Sequence, residues 1–165
     1  MMRAYSLKFS SGFSLLEIVV AVGIVATALV FIMGALALGV RVLRVQAETR
    51  EAIFLAEEGA EATRFLRDAD WTSYVATLTP GVTYYAVRSG QTWVMQTANP
   101  GFIQNRYTRT IVLARVYRDA NGAIAPSGNE DQNARSFIVA VTWSGTFGSH
   151  TVSVPGYVMN ILGDT

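Results

Sequence analysis

Residues 12–40 read GFSLLEIVVAVGIVATALVFIMGALALGV, and their reading decides the fold. From Ile18 to Val40 the stretch carries no charge. It is long enough to cross a hydrocarbon core of about 30 Å. A basic leader, MMRAYSLKFSS, precedes it, and one carboxylate, Glu17, stands at its very start. An unpaired charge in a bilayer costs at least about 2.5 kcal/mol, so Glu17 asks for a functional reason. Three plainer readings compete. A cleavable secretory signal would use Ala35-Leu36-Ala37 as its small-residue site, but its apolar core would normally span only about 7–15 residues. An ordinary single-span anchor explains the hydrophobicity and leaves Glu17 and the Gly12-Phe13 junction without a purpose. A buried core helix is set aside because the run is too long and too apolar.

The junction Gly12-Phe13-Ser14-Leu15 with Glu17 four residues beyond Phe13 resembles the type III signal of type IV prepilins and of the pseudopilins of type II secretion. In that family a short leader ends in Gly, the next residue is usually Phe, and a Glu lies fifth in the mature chain. The resemblance implies that a prepilin peptidase/methyltransferase removes residues 1–12 and N-methylates Phe13. It implies a single-pass protein of the inner (cytoplasmic) membrane, leader in the cytoplasm and head exported. An assembly ATPase and a platform protein then place it with other pilins or pseudopilins in a cell-surface or periplasmic filament. Charge alone leaves the topology ambiguous: Arg3 and Lys8 precede the span, and Arg41, Arg44 and Arg50 follow it. Glu17 is the expected assembly residue, because the amine freed on Phe13 of one subunit can approach the Glu17 of a neighbour. Pili, secretion systems and DNA-uptake machines share this leader and helix, and the sequence leaves the choice open.

The rest of the 165-residue chain divides by composition. Residues 1–12 are leader, 13–40 the membrane and filament-core helix, 41–70 its amphipathic continuation, and 71–165 a β-rich exported head. No proline occurs before Pro80. Ala52, Leu55, Ala56, Gly59, Ala62, Leu66 and Ala69 recur at helical spacing, with Arg50, Glu57, Glu61, Arg64 and Asp68 opposite. Glu61–Arg64 and Arg64–Asp68 are helix neighbours of opposite charge. Unbroken from Phe13 to Asp70, such a helix would be about 87 Å long. Its second half needs a surface to cover the apolar stripe.

Strands at Val82–Arg88, Thr92–Thr97, Tyr107–Arg118, Ala134–Ser144 and Thr151–Val154 supply that surface. The third is expected to place Val112, Ala114 and Val116 on one face, and the fourth Phe137, Val139, Val141 and Trp143. Pro155-Gly156 should end the last strand. Short connections imply an antiparallel sheet. The expected fold is α+β and pilin-like, one long N-terminal helix with a sheet of about four strands packed on its upper half. The strings LAEEGAEATRFLRDADW (Leu55–Trp71) and FIVAVTW (Phe137–Trp143) resemble minor members, the type IV pilus modification proteins and small pseudopilins. Gly34 lies where many pilins carry a helix-bending proline. The chain has no cysteine, so the loop-closing pair of many major pilins is missing.

Little points to chemistry. The net charge of +1 leaves no nucleic-acid footprint. The one histidine, His150, falls in an expected turn. No zinc spacing, nucleophile elbow or phosphate-binding loop is present. Asp119, Asn121, Asn129, Glu130 and Asp131 could offer oxygen ligands to calcium, as a late loop does in some major pseudopilins. They lack an EF-hand pattern, and a turn at Asn121-Gly122 explains them more simply. Trp71, Tyr84, Tyr85, Trp93, Tyr107, Tyr117 and Trp143 read as strand core or as a sugar- or surface-binding patch. The reading the resemblance implies is a pilin-like filament subunit, expected to have no cofactor and no metal and not to be an enzyme. A membrane-anchored extracytoplasmic binding module that never polymerises is the alternative, and an anchored enzyme a third.

Overall fold

A computed structural model of the chain describes residues 14–145, 148–161 and 163. Helix α1 runs Leu15–Ala69, close to the span expected from a proline-free stretch rich in Ala, Leu and Glu. It stops because Asp70 is extended (φ −174°) and caps the next turn, its carboxylate accepting from the Ser73 N–H at 2.9 Å and hydroxyl at 2.6 Å. Those bonds, the hydroxyl's first, hold the Asp70 carboxyl below the usual carboxylate range. A π-helical turn, Trp71–Val75, follows and buries both of its terminal side chains.

The chain forms two units, Met1–Arg44 and Val45–Thr165. The described part of the first is helix alone. The second holds the rest of α1 and six strands: β1 Thr83–Ser89, β2 Thr92–Gln96, β3 Tyr107–Arg118, β4 Ile124–Ala125, β5 Asn129–Gly145 and β6 Gly148–Met159. They make one antiparallel sheet, ordered β2-β1-β3-β5-β6, with β4 added on β3. The protein is thus α+β, a long N-terminal helix with an antiparallel sheet, consistent with a pilin-like fold.

Within the second unit the stripe Ala52, Leu55, Ala56, Gly59, Ala62 and Leu66 is buried as expected, joined by Glu48, Ala60 and Thr63. Small residues let helix and sheet approach closely. A Cβ on Gly59 would stand 2.8 Å from both Arg109 Cδ and Val139 Cγ1, so the glycine is what that approach requires. Phe137, Val139, Val141 and Trp143 form the sheet's half of the core, in line with Leu113, Ile111, Arg109 and Tyr107 of β3. Full burial of a residue such as Phe137 contributes about 1.5–3 kcal/mol.

Several expectations are corrected. Ala69 is exposed, because α1 is ending there. Arg64 pairs with Glu61 as expected, but Asp68 pairs with Arg67 at 2.7 Å. The sheet has six strands where about four were expected; β4 and the first residues of β5 lie in a Gly- and Asn-rich stretch without a strand pattern. The core face of β3 is Tyr107, Arg109, Ile111 and Leu113, while Ala114 is exposed. Val116 returns to the buried side because the β3–β5 register shifts between Arg115 and Val116. The last strand does not end at Pro155-Gly156. As an edge strand β6 tolerates a proline. Gly156 makes room for the Phe137 ring, whose Cζ would lie 2.4 Å from a Cβ placed there.

Candidate functional site

In the first unit the apolar side chains of α1 face outward. Leu15 is 81% exposed, Phe31 73% and Met33 69%. None of the most hydrophobic window is buried, and α1 is long and apolar enough to cross a membrane. Two polar groups there bond within the helix: Thr27 Oγ1 donates to the Gly23 carbonyl at 2.8 Å, and the Ile18 N–H donates to the Ser14 carbonyl at 3.2 Å. Such internal pairing is what a hydrocarbon surrounding demands. Glu17 lies in the first turn of α1, where the helix dipole favours a negative charge. It is exposed and, among the described residues, has no hydrogen-bond or ion-pair partner. Gly12 and Phe13 lie outside the described residues.

Glu48, on the same helix, has the opposite surroundings. Its side chain is 10% exposed. One oxygen accepts from Arg106 Nη1 at 2.6 Å, the other from Trp143 Nε1 at 3.4 Å. Tyr107 Oη donates to its carbonyl at 3.2 Å. Trp143 in turn stacks on His150, centroids 5.3 Å apart. His150 is therefore a half-buried strand residue in β6, not a turn residue. Arg109, like Arg135, is another buried charge. Its Nη1 donates to Glu58 Oε2 at 2.6 Å and to the Leu55 carbonyl at 3.0 Å, and its Nη2 to the Ala86 carbonyl at 3.2 Å. Its Nε is buried without a partner among the described residues.

The calcium candidates do not converge. Asp119 Oδ1 accepts from the N–H groups of Asn121 and Ala123, both at 2.9 Å, closing a turn over Asn121-Gly122. Asn129 begins β5, opposite Arg118. Glu130 faces Arg115 at 3.5 Å and Arg135 at 3.9 Å. Asp131 accepts from Arg118 Nε at 2.6 Å, and that bond first of all holds its carboxyl below the usual range. Among the described residues no three His, Cys, Asp or Glu side chains gather as a metal site. Of the aromatic candidates, Trp71, Tyr84, Tyr107 and Trp143 are core. Tyr85, Trp93 and Tyr117 are half-buried.

Glu48, Arg109 and His150 escaped the sequence reading as partners of anything. Glu48 alone carried a signal: it lies four residues before Ala52, in phase with the buried stripe. No family model matches the chain, and comparison with curated proteins and with solved structures found no match.

Proposed function

We propose that the chain is a pilin-like subunit, of the minor kind, of a type IV pilus or type II secretion-like filament. It is cleaved after Gly12, N-methylated on Phe13, held in the inner membrane and assembled through the first part of α1. The observation that carries this reading is Glu17, a carboxylate with no partner among the described residues, at the head of an exposed apolar helix. That helix needs hydrocarbon around it before assembly and other helices after it. Its continuation is the spine of a β-domain, which suits a subunit with its helix inside a fibre and its sheet outside. The new Phe13 amine of one subunit would meet the Glu17 of the next. Two such charges about 4 Å apart attract by about 4 kcal/mol at an effective dielectric of 20, before desolvation is subtracted. Register is the larger gain, since a misplaced subunit leaves Glu17 unpaired among apolar helices.

The partners of this reading are the prepilin peptidase/methyltransferase, the platform protein and other pilins or pseudopilins, and the role is structural rather than enzymatic. Mass spectrometry of the membrane-extracted protein tests the processing. A chain beginning at methylated Phe13 is expected, and Gly12→Val should block the cut. A mature terminus after Ala37 would restore the secretory reading. An uncut, unpolymerised chain would favour the anchored binding module.

A further inference from the structure

The hairpin β1–β2 leaves the sheet early. β1 stays paired with β2 from Tyr85 to Ser89, yet meets β3 only at Thr83↔Val112 and Tyr84↔Ile111. Backbone groups of successive residues in an antiparallel strand point to alternate sides. The Ala86 carbonyl takes Nη2 of Arg109, a β3 side chain, at 3.2 Å. It therefore points toward β3, and so do the N–H and C=O of Arg88 two residues on. In a continued register these groups would meet β3 at Arg109 and Tyr107. A cleft of about 280 Å³ opens there instead, lined by Tyr85–Arg88, Pro100–Ile103, Trp93, Glu58 and Arg109. All of these residues belong to the second unit.

The cleft offers three kinds of recognition together. Beyond Tyr84 the main chain of β1 has no strand partner on this side among the described residues, although the Ala86 carbonyl already accepts from Arg109. Apolar contact comes from Trp93 and from Phe102, which is 69% exposed. Gly101, at φ +97°, lets the chain bend beside Phe102, a conformation that side chains other than glycine rarely adopt. The third is charge. Glu58 already answers Arg109. Arg88 is exposed and its guanidinium carbon lies 5.9 Å from the Trp93 ring. Among the described residues Arg88 has no carboxylate partner. The cleft thus keeps one uncompensated positive charge beside an open strand edge.

We propose that this cleft is a docking groove for an extended acidic segment of a partner protein, which pairs with the main chain of β1 at the exposed Arg88 and sets a carboxylate on the Arg88 guanidinium. Strand addition of this type draws affinity from main-chain bonds and selectivity from the side-chain pockets beside them. Ala86 to Arg88 spans about 7 Å of strand at about 3.3 Å per residue, so two or three peptide residues fill the groove. A saccharide suits it less well. The Trp93 ring, the natural stacking platform, already has Arg109 5.3 Å from its centroid, and a sugar has no use for a strand edge. The proposal stands apart from filament assembly and does not depend on it.

The test uses the full chain in detergent micelles. It is presented with an array of eight-residue Thr- and Val-rich peptides bearing a central Asp or Glu, with their Asn and Gln counterparts, and with an array of glycans. Acidic peptides should bind, and their amide counterparts should bind about tenfold more weakly, the scale of one hydrogen bond to a charged group. Arg88→Gln should remove that preference while leaving the near-ultraviolet circular dichroism of the head unchanged. N-methylation of a central peptide amide should abolish binding. The proposal is overturned by equal binding of acid and amide peptides, by indifference to N-methylation, by an absence of peptide binding, or by glycans binding in place of peptides.

Discussion

Glu17 and Glu48 sit on the same helix and share a side chain, yet their surroundings are opposite. Glu48 is buried and held by Arg106 and Trp143; Glu17 has no partner among the described residues. The glycines repeat the contrast. A Cβ on Gly23, Gly34 or Gly39 would meet nothing within 4 Å, whereas on Gly59 it would strike Arg109 and Val139. One part of α1 has its partner surface within this chain. The other part has the same need, and among the described residues nothing meets it. Bulky residues such as Leu15, Phe31 and Leu43 are all exposed, on a helix long and apolar enough to cross a membrane.

The comparison breaks most visibly at Arg109. Removing it strips Glu58 of its ion pair and leaves the Leu55 and Ala86 carbonyls without their side-chain donor. Arg109→Ala should cost the head about 2–4 kcal/mol, mainly by leaving the Leu55 and Ala86 carbonyls without that donor, since Glu58 is 37% exposed and keeps its water. Thermal unfolding of the micelle-bound protein, followed in the near ultraviolet, reads this directly. A melting temperature equal to wild type would show that the buried charge is not holding α1 to β1 and β3.

A pair of matched substitutions sharpens the same contrast. Gly59→Val should cost about 2–3 kcal/mol through overpacking. Gly34→Val should leave head stability within about 0.5 kcal/mol, as surface changes usually do. Equal effects at both sites would mean that the two parts of the helix do not differ in the way described.

How much of this was legible in the sequence follows from where the information lies. Helix α1 and strand β3 were readable, because helical spacing and a β-branched, aromatic run are local signals. The burial phase of β3 was not. Its core face carries Arg109, its outer face carries Val112 and Ala114, and the shift beyond Arg115 brings Val116 back inside. Pro155-Gly156 looked like a stop because the same residues serve turns. Only the edge position of β6 and the Phe137 ring beneath Gly156 give them another purpose. Glu17 was legible because it breaks an apolar pattern. Arg109 was not, since its partners Glu58 and Ala86 lie far away in sequence.

A smaller effect tests the far end of the sheet. Asp131 is held below the usual carboxylate range chiefly by its hydrogen bond from Arg118. A carboxylate depressed in the folded state stabilises fully above its unfolded value, and that stability is lost as pH falls through the lower folded value. Melting temperatures between about pH 6 and pH 2 should therefore fall less steeply for Asp131→Asn than for wild type. Identical acid slopes would remove this pair from the account.

The most direct measurement concerns Glu17. Glu17→Val, expressed in the native host, should insert in the membrane and lose residues 1–12 normally, and should then be poorly incorporated into sheared filaments by quantitative proteomics. If the chain is the minor subunit proposed, the same fraction should contain it below a more abundant filament subunit. Wild-type incorporation of Glu17→Val would contradict the claim that the unpartnered carboxylate finds its partner in the assembled fibre.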